Sequence, residues 1–292
     1  MFAGGGNRCW WQAGFWDVVA PAIELKPRVI GAVSAGAATA CMLYANDSRD
    51  TLAYYREALK HNDRNAYWGN LWGNPFRRGG TNAHGERVFP HAAIYRRALN
   101  DVLGGAHFEK LKRDAPELRI VFTRLPRLLG PRTALAVGLV AYNLEKHWRR
   151  SLHPTFGRRL GFSPEIVRLQ DCADIDDLVS LITASSCTPP FTPIERRDGR
   201  PTLDGGLVDN VPVDTVERGP STLVLLTRHY PARPESFTHL GRVYVQPSAK
   251  VAAKAWDYTN VPSLQATYDQ GRRDGERFVA QTGKRGQRSP RE

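Results

Sequence analysis

Residues 30–36 read Ile-Gly-Ala-Val-Ser-Ala-Gly, and nothing bulky follows before Cys41 and Met42. The run predicts a strand ending in Val29 and Ile30, a sharp turn carrying Ser34, and then an alanine-rich helix. A serine lifted on a strained strand-to-helix turn leaves no space for large neighbours, so glycine and alanine must surround it. The usual form of such an elbow is G-x-S-x-G. Here Ala32 and Gly36 hold the two flanking places, so one extra methyl crowds the crossing without removing a reacting group. The same run would also serve an ordinary β-to-α turn packed with small residues. Other segments have to decide between them.

Upstream, Gly4-Gly5-Gly6-Asn7-Arg8 places three glycines and a cation close to the first residue. Consecutive glycines leave backbone N–H groups open to an anion, and Arg8 adds a fixed charge. A phosphate cradle is the weaker reading, because neither G-x-x-x-x-G-K-[ST] nor a well-spaced G-x-G-x-x-G is present. The apolar run Trp10, Trp11, Ala13, Gly14, Phe15 predicts a helix whose N-terminus adds partial positive charge to the loop. Downstream, Asp204-Gly205-Gly206 follows an extended stretch and precedes Asn210 and Pro212. That order puts Asp204 at a strand end. Leu118 to Thr123, Thr222 to Thr227 and Val243 to Val245 read as further strands. With helical stretches between them they imply an α/β protein with a largely parallel sheet.

With Ala184-Ser185-Ser186-Cys187-Thr188-Pro189-Pro190-Phe191 added, four segments stand in one order along the chain. In that order they resemble the patatin-like phospholipase family, acyl-ester hydrolases that use a Ser–Asp dyad. The run Leu264 to Gly271 is similar to the family's last helix. Residues 45 to 165 carry no matching motif, and Cys9 stands where a glycine commonly follows the arginine. The resemblance implies a three-layer α/β/α sandwich with a largely parallel central sheet. It also implies Ser34 as nucleophile, Asp204 as its base, and an oxyanion hole formed at Gly4, Gly5, Gly6 and Arg8. Neither a cofactor nor a metal is implied.

Two other readings compete. A Ser–Asp–His triad would need a histidine after the acid, and only His229 and His239 qualify by order. Asp209 and Asp214 are rival carboxylates, but neither carries the double glycine that opens space around Asp204. The alternative from another class is a catalytically weak or inactive patatin-like protein acting as a membrane-binding module.

Charge bears on that alternative. The chain of 292 residues has a formal net charge of +12. Residues 124–162 hold eight basic residues (Arg124, Arg127, Arg132, Lys146, Arg149, Arg150, Arg158, Arg159) against Glu145 alone, a local surplus of +7. They surround the apolar stretch Ala134 to Tyr142, with Trp148 and Phe156 beyond it. That stretch is too short for a bilayer, which needs about 20 residues. Such a segment is expected to touch an anionic membrane from the side, or else to be a buried helix with solvated flanks. Nucleic acid is not expected, because no recognition motif accompanies the charge. The substrate expected is a lipid or other acyl ester.

Four scattered cysteines, Cys9, Cys41, Cys172 and Cys187, argue against a zinc site or a disulfide framework. With no signal peptide read before the glycine loop, the expected compartment is cytoplasmic with peripheral membrane contact. Met1 stands so near Gly4 that the first strand is expected to be very short, or the start codon misplaced. Residues 1–282 are expected to form one acyl-hydrolase domain, and 283–292 a disordered basic tail. The aromatic excursion at 61–91 reads as a lid over the elbow or as a padded loop.

Overall fold

A computed structural model of the chain describes residues 1–68, 88–126, 133, 152–153, 156–217, 219 and 221–286. The first residues form only a bridge: Phe2 pairs in parallel with Ala32 on one side and Leu225 on the other. The glycines lead into a 3₁₀ turn, Gly6–Cys9, and helix α1, Trp10–Ala22. Strand β1, Val29–Val33, ends at Ser34, where helix α2, Ala35–Ala45, begins. Helices α3 (Ser48–Leu59), α4 (His91–Leu103) and α5 (Ala106–Asp114) precede strand β2, Glu117–Arg124. After the single turn Phe156–Arg159 come β3 (Ser163–Arg168) and helix α6 (Ile175–Ser185). Strands β4 (Arg196–Arg197) and β5 (Arg200–Asp204) follow, and β5 runs into the one-turn helix Gly206–Asp209. Strands β6 (Leu223–Leu225), β7 (Ser236–His239) and β8 (Arg242–Val245) lead to the long helix α7, Val261–Gly286.

The α/β class holds, but the sheet is mixed rather than largely parallel. Strands β8, β6, the Phe2 bridge, β1 and β2 run parallel through its centre. At the margins β3 and β5 pair antiparallel with β2, β4 with β5, and β7 with β8. Two tight hairpins account for part of this. Asp198-Gly199 joins β4 to β5 and Leu240-Gly241 joins β7 to β8, with positive φ at all four residues. Two-residue turns of that hand admit only antiparallel neighbours.

Most of the apolar core lies on one face of the sheet, where Ile30, Ala32, Ile120 and Phe122 meet Trp11, Phe15, Leu178 and Ile182. The opposite face packs Ala3, Val224 and Tyr244 against Leu152 and Val211. Helices α1 and α7 approach so closely that a Cβ on Gly271 would sit 2.2 Å from the Trp11 carbonyl oxygen. Trp11 Nε1 donates to the buried Asp274 carboxylate at 2.7 Å across this contact. The expected boundary at 282 falls inside α7, which continues to Gly286.

Arg124 does not belong with surface charges. It is buried, pairs with Glu165 and Asp198, and donates to the Arg197 carbonyl at 2.9 Å. It thereby ties β2 to β3 and to the β4–β5 hairpin. Arg158 pairs with Asp214. Most of the remaining basic segment, Trp148 included, lies outside the described residues, as do 69–87 of the aromatic excursion and 287–292 of the tail. The flanks of that excursion meet where Tyr67 N–H donates to the Val88 carbonyl at 2.8 Å.

Candidate active site

Ser34 is the turn residue between β1 and α2, and its backbone is forced to φ 54°, ψ −137°. Positive φ is costly for a residue with a Cβ and persists only where its surroundings over-determine it. Here they do. The Ser34 N–H donates to Ser185 Oγ at 2.8 Å, and that hydroxyl donates to the Val121 carbonyl at 2.5 Å. Gly36 lies where the first residues cross α2, and a Cβ there would meet the Phe2 and Ala3 carbonyl oxygens at 2.7 and 2.6 Å. Ala32 is fully buried within the core, so its methyl is a packing atom.

Asp204 reaches the serine because of strand register. Along one edge of β2, Val33 is the last residue of β1 and pairs with Val121. The next residue of β2, Phe122, pairs with Asp204, the last residue of β5. β1 runs parallel to β2 and β5 antiparallel, so their C-terminal ends meet head to head on that edge. Ser34 Oγ donates to Asp204 Oδ2 at 2.7 Å. The main chain of Asp204 is held by its N–H to the Cys187 carbonyl at 2.7 Å and by Thr123 Oγ1 on its own carbonyl at 2.8 Å. Its carboxylate also accepts from the Gly206 N–H at 2.6 Å and from Thr188 Oγ1 at 3.2 Å.

Burial outweighs these donors. Loss of hydration pushes the Asp204 carboxyl up to about 6, while the bonds from Ser34, Gly206 and Thr188 pull the other way. A carboxylate in that range is mostly ionised at neutral pH yet is a far stronger base than a solvated one.

The glycine loop lies directly against the serine. A Cβ on Gly4 would stand 3.2 Å from Ser34 Cβ and 2.8 Å from Asn210 Oδ1. Gly4 is fully engaged: its N–H donates to the Asn210 carbonyl, and its carbonyl accepts from Asn210 Nδ2 and Thr227 Oγ1. Arg8 Nε donates to the Gly5 carbonyl at 3.1 Å, and Gly6 takes φ +56°. Among the described residues, the N–H groups of Gly5 and Gly6 have no acceptor. Cys9 is buried, and its thiol is pushed up to about 12 by lost hydration, which leaves it a small neutral packing group.

The rival groups are occupied elsewhere. His229 Nδ1 contacts the Pro247 carbonyl at 2.9 Å, and His239 packs on His153 and Tyr244. Asp209 faces His153 and the Val211 N–H, and Asp214 faces Arg158.

Two cavities meet at Ser34, sharing Gly6, Ser34 and Trp256 in their walls. One lies between α2 and α4. The other lies on the Asp204 side and includes Arg8, Thr188, Phe191 and Asn210. Phe191 and Trp256 stack at 5.1 Å with an interplanar angle of 6°. Sequence reasoning assigned no role to Ser185 or Thr188, although both lie in a segment it singled out. Thr227 and Trp256 gave no signal, because only the chain's return to the site brings them there.

The family model described as patatin-like phospholipase matches residues 1–216, which include Ser34, Asp204 and the whole glycine loop. No curated protein sequence matches the chain. Members of that family are in general lipid acyl hydrolases. With three quarters of its length matched, the chain belongs to the patatin-like phospholipase family.

Proposed function

We propose that the chain is a serine acyl hydrolase that cleaves carboxylic ester bonds of lipids, as a phospholipase A or lysophospholipase does, through Ser34 and Asp204. The observation that carries this reading is the 2.7 Å bond from Ser34 Oγ to Asp204 Oδ2 at the meeting of two strand ends. Ser34 Oγ attacks the ester carbonyl carbon as its proton passes to Asp204 Oδ2. The carbonyl oxygen takes up negative charge and is held by the N–H groups of Gly5 and Gly6. Gly4 and Arg8 hold the loop in shape. Fixed donors of this kind contribute about 3–4 kcal/mol each to the transition state. Collapse expels the alcohol, which takes the proton back from Asp204 and leaves an acyl group on Ser34. Asp204 then accepts a proton from water as the water oxygen attacks the acyl carbon, and on collapse Ser34 Oγ leaves, taking that proton back from Asp204 as the free acid departs.

No metal enters these steps, and a histidine is not required, because burial has already raised the base into the working range. The inactive-module alternative gives no reason for a strained serine, a buried carboxylate and two open N–H groups to converge.

Peripheral contact with anionic membranes also belongs to the proposal, carried by Arg127, Arg132, Lys146, Arg149, Arg150 and Arg159, the cations of residues 124–162 that remain once buried Arg124 and paired Arg158 are set aside. No helix of the described residues is long and apolar enough to cross a membrane. Each basic side chain near an anionic surface contributes about 1 kcal/mol.

Ser34→Ala and Asp204→Asn are each expected to lower kcat on a short-chain nitrophenyl ester by about three orders of magnitude or more. His229→Ala and His239→Ala should stay close to the unsubstituted enzyme. Equal loss in either histidine variant would remove the dyad assignment.

The pH profile gives a second check. Asp204 works as a carboxylate, so kcat/KM should rise with pH through about 6 and level off above. Thr188→Val removes a donor that stabilises the ionised form, so the acid limb should move to higher pH. A limb that stays in place, or moves down, would contradict the role given to Asp204.

For membrane contact, Arg149, Arg150 and Arg159 reversed to Glu should weaken sedimentation with anionic vesicles, and added salt should weaken it in the unsubstituted protein. Arg158 is left alone because it pairs with Asp214. Binding that is insensitive to both would end the membrane proposal.

A further inference from the structure

The cavity between α2 and α4 has a shape the dyad does not need. Helix α2 lines it with Ala35, Ala38, Thr39 and Met42, one stripe at i, i+3, i+4 and i+7. Helix α4 answers with the same spacing in Tyr95, Ala98, Leu99 and Val102. The space is a slot along both helices, with Ser34 at its head. It also separates two clusters of the core: Ala38, Leu99 and Val102 belong to one, and Trp10, Tyr55 and Ala98 to the other. Met42, partly buried, packs against both and stands at the far end of the α2 stripe.

The four hydroxyls that α2, α3 and α4 bring to the slot already have partners. Thr39 Oγ1 donates to the Ala35 carbonyl at 3.0 Å and Thr51 Oγ1 to the Asp47 carbonyl at 2.9 Å. The Tyr55 hydroxyl donates to Asn7 Oδ1 at 3.3 Å, and the Tyr95 hydroxyl pairs with Ser186 Oγ at 3.3 Å. The occupant that such walls favour is an alkyl chain, which loses water on entry and leaves no donor unmet.

The slot also has a length. From Ala35 to Met42 the helix rises about 10 Å at about 1.5 Å per residue. An extended alkyl chain advances about 1.25 Å per carbon, from a C–C bond of about 1.5 Å and an angle of about 111°. About eight carbons therefore fit between Ser34 and Met42.

We infer that this slot is the acyl-chain site and that it measures chain length, selecting medium-chain acyl groups of about eight carbons, with Ala38 setting its width and Met42 its end. The inference rests on the proposed Ser34–Asp204 chemistry for which ester is cleaved, but not for which chain is bound. The second cavity, with Arg8 and Asn210 in its wall, is left for the alcohol portion of the ester.

The test has two arms. Hydrolysis is measured on nitrophenyl acetate, butanoate, octanoate, dodecanoate and hexadecanoate. Binding of the corresponding free fatty acids to Ser34→Ala is followed by tryptophan fluorescence, since Trp10 and Trp256 line the slot. Both series should strengthen with length by up to about fourfold for each methylene buried, and stop strengthening at octanoate. Ala38→Leu should cut the octanoate-to-acetate ratio by about tenfold or more, and Met42→Ala should raise the dodecanoate-to-octanoate ratio by a similar factor.

Affinity that keeps climbing to hexadecanoate overturns the inference. So does a length profile that neither substitution changes. Esters cleaved with a flat length profile would sink the slot and leave the dyad standing. Fatty acids that bind with the break at octanoate, while no ester is cleaved, would support the slot and remove the dyad.

Discussion

The site depends on two strands ending on one edge of a third. Because β1 and β5 occupy successive stretches of β2 in opposite directions, Val33 and Asp204 fall on neighbouring registers, at Val121 and Phe122. A parallel β5 would have presented the start of a strand there, and its side chains would have entered from the wrong end. Ser185 then locks the junction. Its hydroxyl accepts from the Ser34 N–H and donates to Val121, and its carbonyl accepts from the Gly205 N–H at 3.2 Å. The last residue of α6 thus holds both turns, and the strained backbone of Ser34 becomes the geometry of least conflict.

That junction also sets the electrostatics. A carboxylate facing solvent would be too weak a base to take a serine proton, and one buried without donors would not ionise at neutral pH. Asp204 lies between these limits: burial raises it to about 6, and three hydrogen bonds keep the ionised form accessible. The linkage to stability has a definite sign. The folded-state value lies above the ordinary one of 3.8, so the contribution of this group to stability is greatest in acid. It falls as pH rises from about 4 to about 6, where the folded protein must hold a desolvated charge. In the proposed chemistry, activity and stability at this residue pull in opposite directions, as is common where a carboxyl is tuned as a base.

Much of the site could be read from residue types alone. Small residues around Ser34, glycines at 4–6 and the double glycine after Asp204 all record places where a Cβ would collide, and such demands are local. The parallel centre of the sheet was legible for a similar reason in Thr222 to Thr227, whose Leu223 to Leu226 form a continuous apolar run. The mixed margins could also have been read, since Asp198-Gly199 is a strong two-residue hairpin signal. Arg124 shows what composition cannot give. Counted among surface cations, it is instead buried against Glu165 and Asp198, and nothing in its neighbours along the chain announces partners 41 and 74 residues away. Trp256 and Thr227 were hidden in the same way, because their place at the site is set by how β6–β8 and α7 pack back on the first residues.

The strained serine at the β1–β5 junction is proposed as a nucleophile that carries a covalent acyl intermediate. The most direct test is to treat the purified protein with a fluorophosphonate and locate the adduct by peptide mass spectrometry. One adduct per chain is expected, on Ser34, forming faster at pH 7.5 than at pH 5 because Asp204 must be ionised. An adduct on another residue, or none while nitrophenyl ester is still hydrolysed, would contradict it.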